Sequence, residues 1–282
     1  MAKGINAQLV LIDPQNDFSG NKDSTPFQQQ LKGGSCLTAS LPVSGAVEDM
    51  GRLATLIHRI GHKLSDIHVT LDSHHTMHIA HPDMWVNKDN KPPAPFTQIS
   101  VDDVKNGIWR ARNQAHQKRF QAYIEALETA GKFKHTIWSP HCRIGTWGHN
   151  VHPELETALT VWERKNMGVV NYVTKGSSVW TEHFGALMAE VPDPTDPSTQ
   201  LNTEFLKLLQ EADILGFAGE ALDFCVKTTM RQVIENLGDD VAKKIVLLTD
   251  CSSAIFPDEG KKFLDEMQAR GVTLMPSNQF LA

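Results

Sequence analysis

The chain has 282 residues, 40% of them apolar, which is enough to fill the core of one large α/β domain and excludes a disordered chain. A net charge of −6 gives no electrostatic basis for binding nucleic acid or an anionic membrane surface. The apolar runs are too short to span a bilayer, the N-terminus shows no signal-peptide core, and four cysteines (36, 142, 225 and 251) show no paired spacing, so a reduced, cytoplasmic setting is expected.

Residues 8–13 read as a buried strand that ends on a carboxylate, Asp13, before Pro14 turns the chain. Gly33-Gly34-Ser35 signals a loop. Residues 43–60 carry Val47, Met50, Leu53, Leu56, Ile57 and Ile60 at helical spacing, and Gly61 ends the helix. A second strand over 66–72 runs into Asp72-Ser73-His74. Asp and His two residues apart on a strand point the same way and can serve one metal ion. His75, His78 and His81 follow closely; eight of the 13 histidines fall between His58 and His116. The bland alternative is a polar surface loop that happens to be rich in histidine.

Residues 82–134 lack sheet patterning. Lys91-Pro92-Pro93-Ala94-Pro95 is a stiff connector, Gln114–Ala130 is a helix, and the stretch is expected to be an insertion or lid within a single domain spanning 1–282. His135–Trp138 is a short strand followed by His141, a third candidate ligand, with the Trp138 ring nearby; Cys142 beside it is taken as structural. Residues 158–163 read as a weak strand and 171–176 as another, with Lys175 at its end. Helices are expected over Trp180–Ala189 and Asn202–Ala212, with Pro192–Pro197 as a rigid link between them.

The apolar run Ile214–Ala218 is a buried strand broken by Gly219, and Val226, Met230, Val233, Ile234 and Leu237 then recur at helical spacing. Cys225 therefore lies where a strand turns into a helix. There, free N–H groups and the helix dipole favour a thiolate and can hold an oxyanion. The alternative is one more small buried residue. A strand over 244–250, a helix over 258–270 and a strand over 272–275 complete an alternating pattern. It implies a three-layer α/β/α fold with a mainly parallel central sheet. In such a sheet the strand ends bearing Asp13, Asp72 with His74, Lys175 and Cys225 share one rim.

Taken together, Asp13-Pro-Gln-Asn-Asp-Phe18, Asp72-Ser-His74, Trp138-Ser-Pro-His141-Cys142 through Gly148, Val173-Thr-Lys175-Gly176 and Gly219-Glu-Ala-Leu-Asp-Phe-Cys225-Val resemble the motifs of the isochorismatase-like cysteine hydrolases, in the family's order. Within them the metal motif resembles that of the nicotinamidases. The resemblance implies Asp13, Lys175 and Cys225 as the catalytic set. It also implies an oxyanion hole from the N–H groups of Ala221 and Cys225, with a cis bond before Ala221. One zinc, iron or manganese ion would sit on Asp72, His74 and His141, and Phe18 and Trp138 would line the substrate ring. His78 and His81 stay open as an extra ligand.

The implied reaction is hydrolysis of nicotinamide to nicotinate and ammonia through a cysteine thioester. Another small amide of maleamate or ureido type is the alternative, and a homo-oligomer is expected. Two further readings stand beside it: a metal-hydroxide hydrolase with a structural Cys225, and a non-catalytic metal-binding scaffold. The long insertion departs from compact nicotinamidases, and Glu220 stands where the family carries a smaller or uncharged residue.

Overall fold

The computed structural model describes residues 4–20, 38–131 and 133–282; Cys36 and the loop expected at Gly33-Gly34-Ser35 lie outside them. In chain order come β1 (Ala7–Ile12), α1 (Asn16–Ser19), α2 (Ala46–Ile60) and β2 (Asp66–Asp72). The stretch between β2 and α5, of which 82–134 is the expected insertion, holds β3 (Trp85–Val86), β4 (Gln98–Ile99), α3 (Val101–Lys105), β5 (Arg110–Ala111), α4 (Gln117–Ala130) and β6 (His135–Thr136). The chain returns to α/β alternation with α5 (Pro153–Asn166), β7 (Asn171–Lys175), α6 (Thr203–Gln210), β8 (Ile214–Gly219) and α7 (Lys227–Leu237). It closes with β9 (Ile245–Leu248), α8 (Pro257–Ala269) and β10 (Thr273–Met275).

Six strands form one sheet in the order β10-β9-β8-β1-β2-β7, every pair parallel. Alternation along the strands divides the core in two. Leu9, Leu11, Ile67 and Val69 meet Met50, Leu53 and Ile57 of α2 and Leu155, Leu159 and Trp162 of α5 on one face. Val10, Ile12, Leu215 and Phe217 meet Phe205 of α6, Met230 and Val233 of α7 and Phe263 of α8 on the other. This is the three-layer α/β/α sandwich that the sequence implies. Among the described residues no helix is long and apolar enough to cross a membrane.

Two local expectations fail. Residues 158–163 are not a strand but lie within α5, whose buried positions Leu155, Ala158, Leu159 and Trp162 follow helical spacing from a Pro153 start. A six-residue window was too short to show that period. Trp180–Ala189 is not a helix. Its amides bond to distant groups instead: Ala186 N–H to Thr229 Oγ1 (3.0 Å) and Leu187 N–H to Gln232 Oε1 (3.1 Å). Tertiary partners thus replace the i→i−4 ladder.

The insertion has its own apolar cluster of Met84, Trp85, Ile99, Phe120, Tyr123, Ile124 and Leu127. Its strands are two-residue pairs, β3 with β5 and β4 with β6, both antiparallel.

Candidate active site

β1, β2 and β7 are adjacent, and their carboxyl ends deliver Asp13, Asp72 and Lys175 to one point. Lys175 Nζ lies 2.9 Å from Asp13 Oδ2 and 3.0 Å from Asp72 Oδ1, donates to the His183 carbonyl at 3.0 Å, and reaches Cys225 Sγ at 3.7 Å. The four residues at this junction are all buried, Asp13 completely. A lysine so deep is held charged by its partners. Burial alone would lower its pKa, but Asp13, Asp72 and Cys225 outweigh that and keep the ammonium well above its usual range. Burial pushes the Asp13 carboxyl up, with Lys175 opposing and Asp72 reinforcing; Thr70 bonds it through its hydroxyl at 2.5 Å. Asp13 is thereby disposed to accept a proton.

Cys225 occupies a π-helical turn, Leu222–Val226, between β8 and α7. Burial pushes its thiol well up; Lys175 pulls the other way but loses to burial together with Asp13 and Asp72. The thiolate expected at this strand-to-helix turn is therefore not favoured: the sulfur holds its proton, with the Asp13 carboxyl beside it. The Glu220–Ala221 peptide bond is cis. Phe224 and Val226 N–H both donate to the Ala221 carbonyl (3.1 and 3.2 Å), whereas among the described residues neither Ala221 nor Cys225 N–H reaches a carbonyl outside the turn. Gly219, at φ 118°, has no alternative: a Cβ there would lie 2.1 Å from the Ile12 carbonyl oxygen.

Asp72, His74 and His141 bring ligand atoms within 4.8 Å of one another, all from buried residues. Their bonding shows what belongs between them. His74 Nδ1 faces the Gly176 carbonyl (3.0 Å) and His141 Nδ1 faces the Ser139 carbonyl (2.8 Å), so both Nδ1 atoms carry hydrogen. Each Nε2 then turns a lone pair toward Asp72 Oδ2, at 2.9 and 3.3 Å. Two lone pairs and a carboxylate in contact call for a cation, and carbonyl-oriented histidines are the arrangement metal sites use.

His81 adds a fourth lone pair. Its Nδ1 is engaged by the Thr76 carbonyl (3.1 Å), its buried Nε2 has no partner, and its ring lies 5.4 Å from that of His74 and 5.6 Å from that of His141. Burial lowers its pKa to about 3, so it is neutral near pH 7. His78 is spent: Nδ1 accepts from Ala80 N–H and Nε2 meets the Thr181 carbonyl, both at 3.2 Å. Asp72, His74 and His141 fit a divalent metal, and of His78 and His81 only His81 keeps a nitrogen without a partner.

Several supports were invisible as such in the sequence. Gln15 bridges the Asp72 backbone in both directions (2.7 and 2.8 Å), and Asp17 accepts from Cys142 N–H at 2.7 Å, which anchors the His141 segment to α1. Gly176 packs so closely that a Cβ would lie 2.8 Å from Asp72 Oδ1. Phe18 meets His141 edge-on at 5.4 Å, and Trp138 meets Phe224 at 5.2 Å and Phe96, from the Pro-rich connector, at 5.6 Å. Phe184 completes this wall, 5.3 Å from Phe224. The helical reading of 180–189 hid Phe184.

No protein-family model and no curated protein sequence matches the chain. Solved structures do. An Acinetobacter baumanii nicotinamidase/pyrazinamidase aligns over 99% of both chains at 19% identity and a TM-score of 0.61. The yeast nicotinamidase bound to the inhibitor nicotinaldehyde aligns over 96% of this chain and 99% of its own, at 18% identity and a TM-score of 0.63. A Pyrococcus horikoshii pyrazinamidase in complex with zinc aligns over 96% and 99%, at 16% identity and a TM-score of 0.53. At these identities what is shared is the fold, and it is the fold of nicotinamidases and isochorismatase-like hydrolases.

Proposed function

We propose that the protein is a metal-containing thiol amidohydrolase that converts nicotinamide to nicotinate and ammonia. The observation that carries this reading is the single buried junction at which Lys175 meets Asp13, Asp72 and the Cys225 sulfur. Neither a metal-hydroxide hydrolase nor a metal-binding scaffold has a use for that junction. Asp13 takes the thiol proton as Sγ attacks the carboxamide carbon. The resulting oxyanion is held by the N–H groups of Ala221 and Cys225. Asp13 returns the proton to the departing nitrogen, the C–N bond breaks, and ammonia leaves a Cys225 thioester. Water, giving a proton to Asp13, attacks the thioester; the C–S bond breaks, the acid departs, and the proton returns to sulfur.

Asp72, His74 and His141 would hold the metal, which supplies a Lewis-acidic point for orienting a ring nitrogen or a water. Phe18 and Trp138, with Phe184 and Phe224 packed against them, offer aromatic faces suited to a flat ring. The free thiols of Cys142, Cys225 and Cys251 suit a reducing compartment.

The test is ammonia release from nicotinamide, pyrazinamide, maleamate and a ureido compound. Nicotinamide is expected to give the highest kcat/KM, and Cys225→Ala to lose on the order of 10⁴-fold or more in kcat with the fold intact. Preference for maleamate or the ureido compound would move the substrate within the same reaction class. A Cys225→Ala protein that keeps its rate would end the thioester mechanism.

A further inference from the structure

Glu220 is the charged residue whose place in the turn the reaction leaves unexplained. It stands between Gly219, the last residue of β8, and Ala221, and it is completely buried. Its Oε2 accepts from Ser253 N–H at 3.1 Å, while its Oε1 is buried and meets no donor. The carboxyl of Asp49 on α2 converges on the same serine: Ser253 N–H serves Glu220 Oε2 and the Ser253 hydroxyl donates to Asp49 Oδ2 at 2.6 Å. Asp49 is itself buried, and its oxygens are already served by Arg52 (2.5 Å) and by the Ser253 hydroxyl (2.6 Å).

Two ionised carboxylates held side by side on one serine, away from water, repel each other; one of the two carries a proton. Asp49 has a cation and a hydroxyl for partners, whereas Glu220 has one backbone N–H, so the proton resides on Glu220. The other charged group acting on Glu220, Asp223, is also an acid, and its oxygens are taken by Ile255 and Phe256 N–H (2.9 and 2.8 Å). Burial, Asp49 and Asp223 all push the Glu220 carboxyl well above its usual range.

The backbone around Glu220 is pinned to the loop after β9. Gly219 N–H donates to the Cys251 carbonyl (3.0 Å) and Leu222 N–H to the Ser253 carbonyl (2.8 Å). Ser253, which serves Glu220 through its N–H and Asp49 through its hydroxyl, ties that assembly to α2.

We propose that Glu220 is a positioning residue that works as a neutral carboxylic acid, its proton bridging to Asp49 and so holding the turn with the Ala221 N–H directed at the reacting carbonyl. The proposal rests on the amidohydrolase reading for its effect on rate, but not for its proton. With rising pH the acid form of Glu220 is lost as the pH passes its raised pKa. Two buried carboxylates then abut, the turn is pushed from α2, and the oxyanion donor is misaimed. The consequence is an alkaline fall in kcat with KM little changed.

The experiment has two readouts. Carboxyl-carbon NMR of protein labelled at glutamate, at about pH 8, should show a protonated carboxyl that is absent from Glu220→Gln; ordinary Glu pKa values lie near 4.3, so other exposed glutamates are ionised there. A fully ionised Glu220 overturns the proposal, whatever the substrate proves to be. In kinetics from about pH 6 to about pH 10, Glu220→Gln, a neutral isostere, should stay within about tenfold of the wild-type kcat and lack part of its alkaline fall. Glu220→Ala should lose roughly 10- to 100-fold in kcat with little change in KM, somewhat less than outright loss of an oxyanion donor. Superimposable pH profiles for wild type and Glu220→Gln overturn the positioning role. If no amide yields ammonia from wild type, the amidohydrolase reading fails and the NMR result alone judges the bridging proton.

Discussion

The strand-end rim and the insertion both bury groups that ionise in water, and they solve the problem in opposite ways. At the rim, Asp13, Asp72 and Lys175 come from three different strands and pair at 2.9 and 3.0 Å, which holds Asp72 and Lys175 charged and opposes the rise that burial imposes on Asp13. In the insertion, His135 is equally buried, but its ring lies against Trp85 and Tyr123, each at 5.4 Å, and burial drives its pKa to about 3. The first arrangement stores charge where a reaction can use it; the second abolishes charge so that a core can close. Burial of a titratable side chain is therefore a poor guide to function taken alone. What separates the two is whether an opposite charge arrives from elsewhere in the chain.

The comparison breaks most sharply at Lys175. Lys175→Met keeps the bulk but strips the rim of its cation and leaves two acids unpaired. Destabilisation of about 3–5 kcal/mol is expected by urea titration. Adding Asp13→Asn should recover part of it, giving a coupling of roughly 0.5–3 kcal/mol; strict additivity would mean that the two side chains do not hold each other in place. Next in size is the metal. Freshly purified protein should contain about one divalent ion per chain by elemental analysis, the count expected of a three-residue open site, and His74→Ala should lose most of it. Full metal content in that variant would place the ion somewhere else.

The smallest effect lies in the insertion. Because the folded pKa of His135 is about 3, below its ordinary 6.5, the unfolded chain takes up a proton first as pH falls. Stability from this residue is present above about 6.5 and is lost toward about 3. His135→Leu should thus lose less stability than wild type between about pH 7 and about pH 5, with His68, His81 and His183 still contributing the rest. An unaltered acid limb would mean that His135 is protonated in the folded chain.

The parts legible in the sequence were those written in short-range pattern. Strand β2 has the expected bounds, and the ends of β1, β7 and β8 fall within a residue or so of expectation. Strand-end position alone was enough to gather Asp13, Asp72, Lys175 and Cys225. The failures share a cause. Phe184 and His183 lie in a stretch whose amides are satisfied by residues more than forty positions away, and local periodicity carries no trace of them. Asp49, on which helical spacing gave no reading, is buried with Arg52 and Ser253 as partners, while Val47, expected in the core, is only half-buried. Gln15 and Asp17 read as turn residues because their partners, Asp72 and Cys142, are 57 and 125 positions distant.

The place of β1 in the sheet has a consequence during synthesis. It lies between β2 and β8, in register from Ala7 with Ile214 to Ile12 with Gly219. A nascent chain that has emerged only as far as α6 holds Asp13, Asp72 and Lys175 but has an open seam where β8 belongs, and no sulfur near the lysine. Cys225 arrives with the last third of the polypeptide, zipped in beside the first strand made. The order of the strands thus keeps this thiol away from Lys175 until most of the chain around it exists.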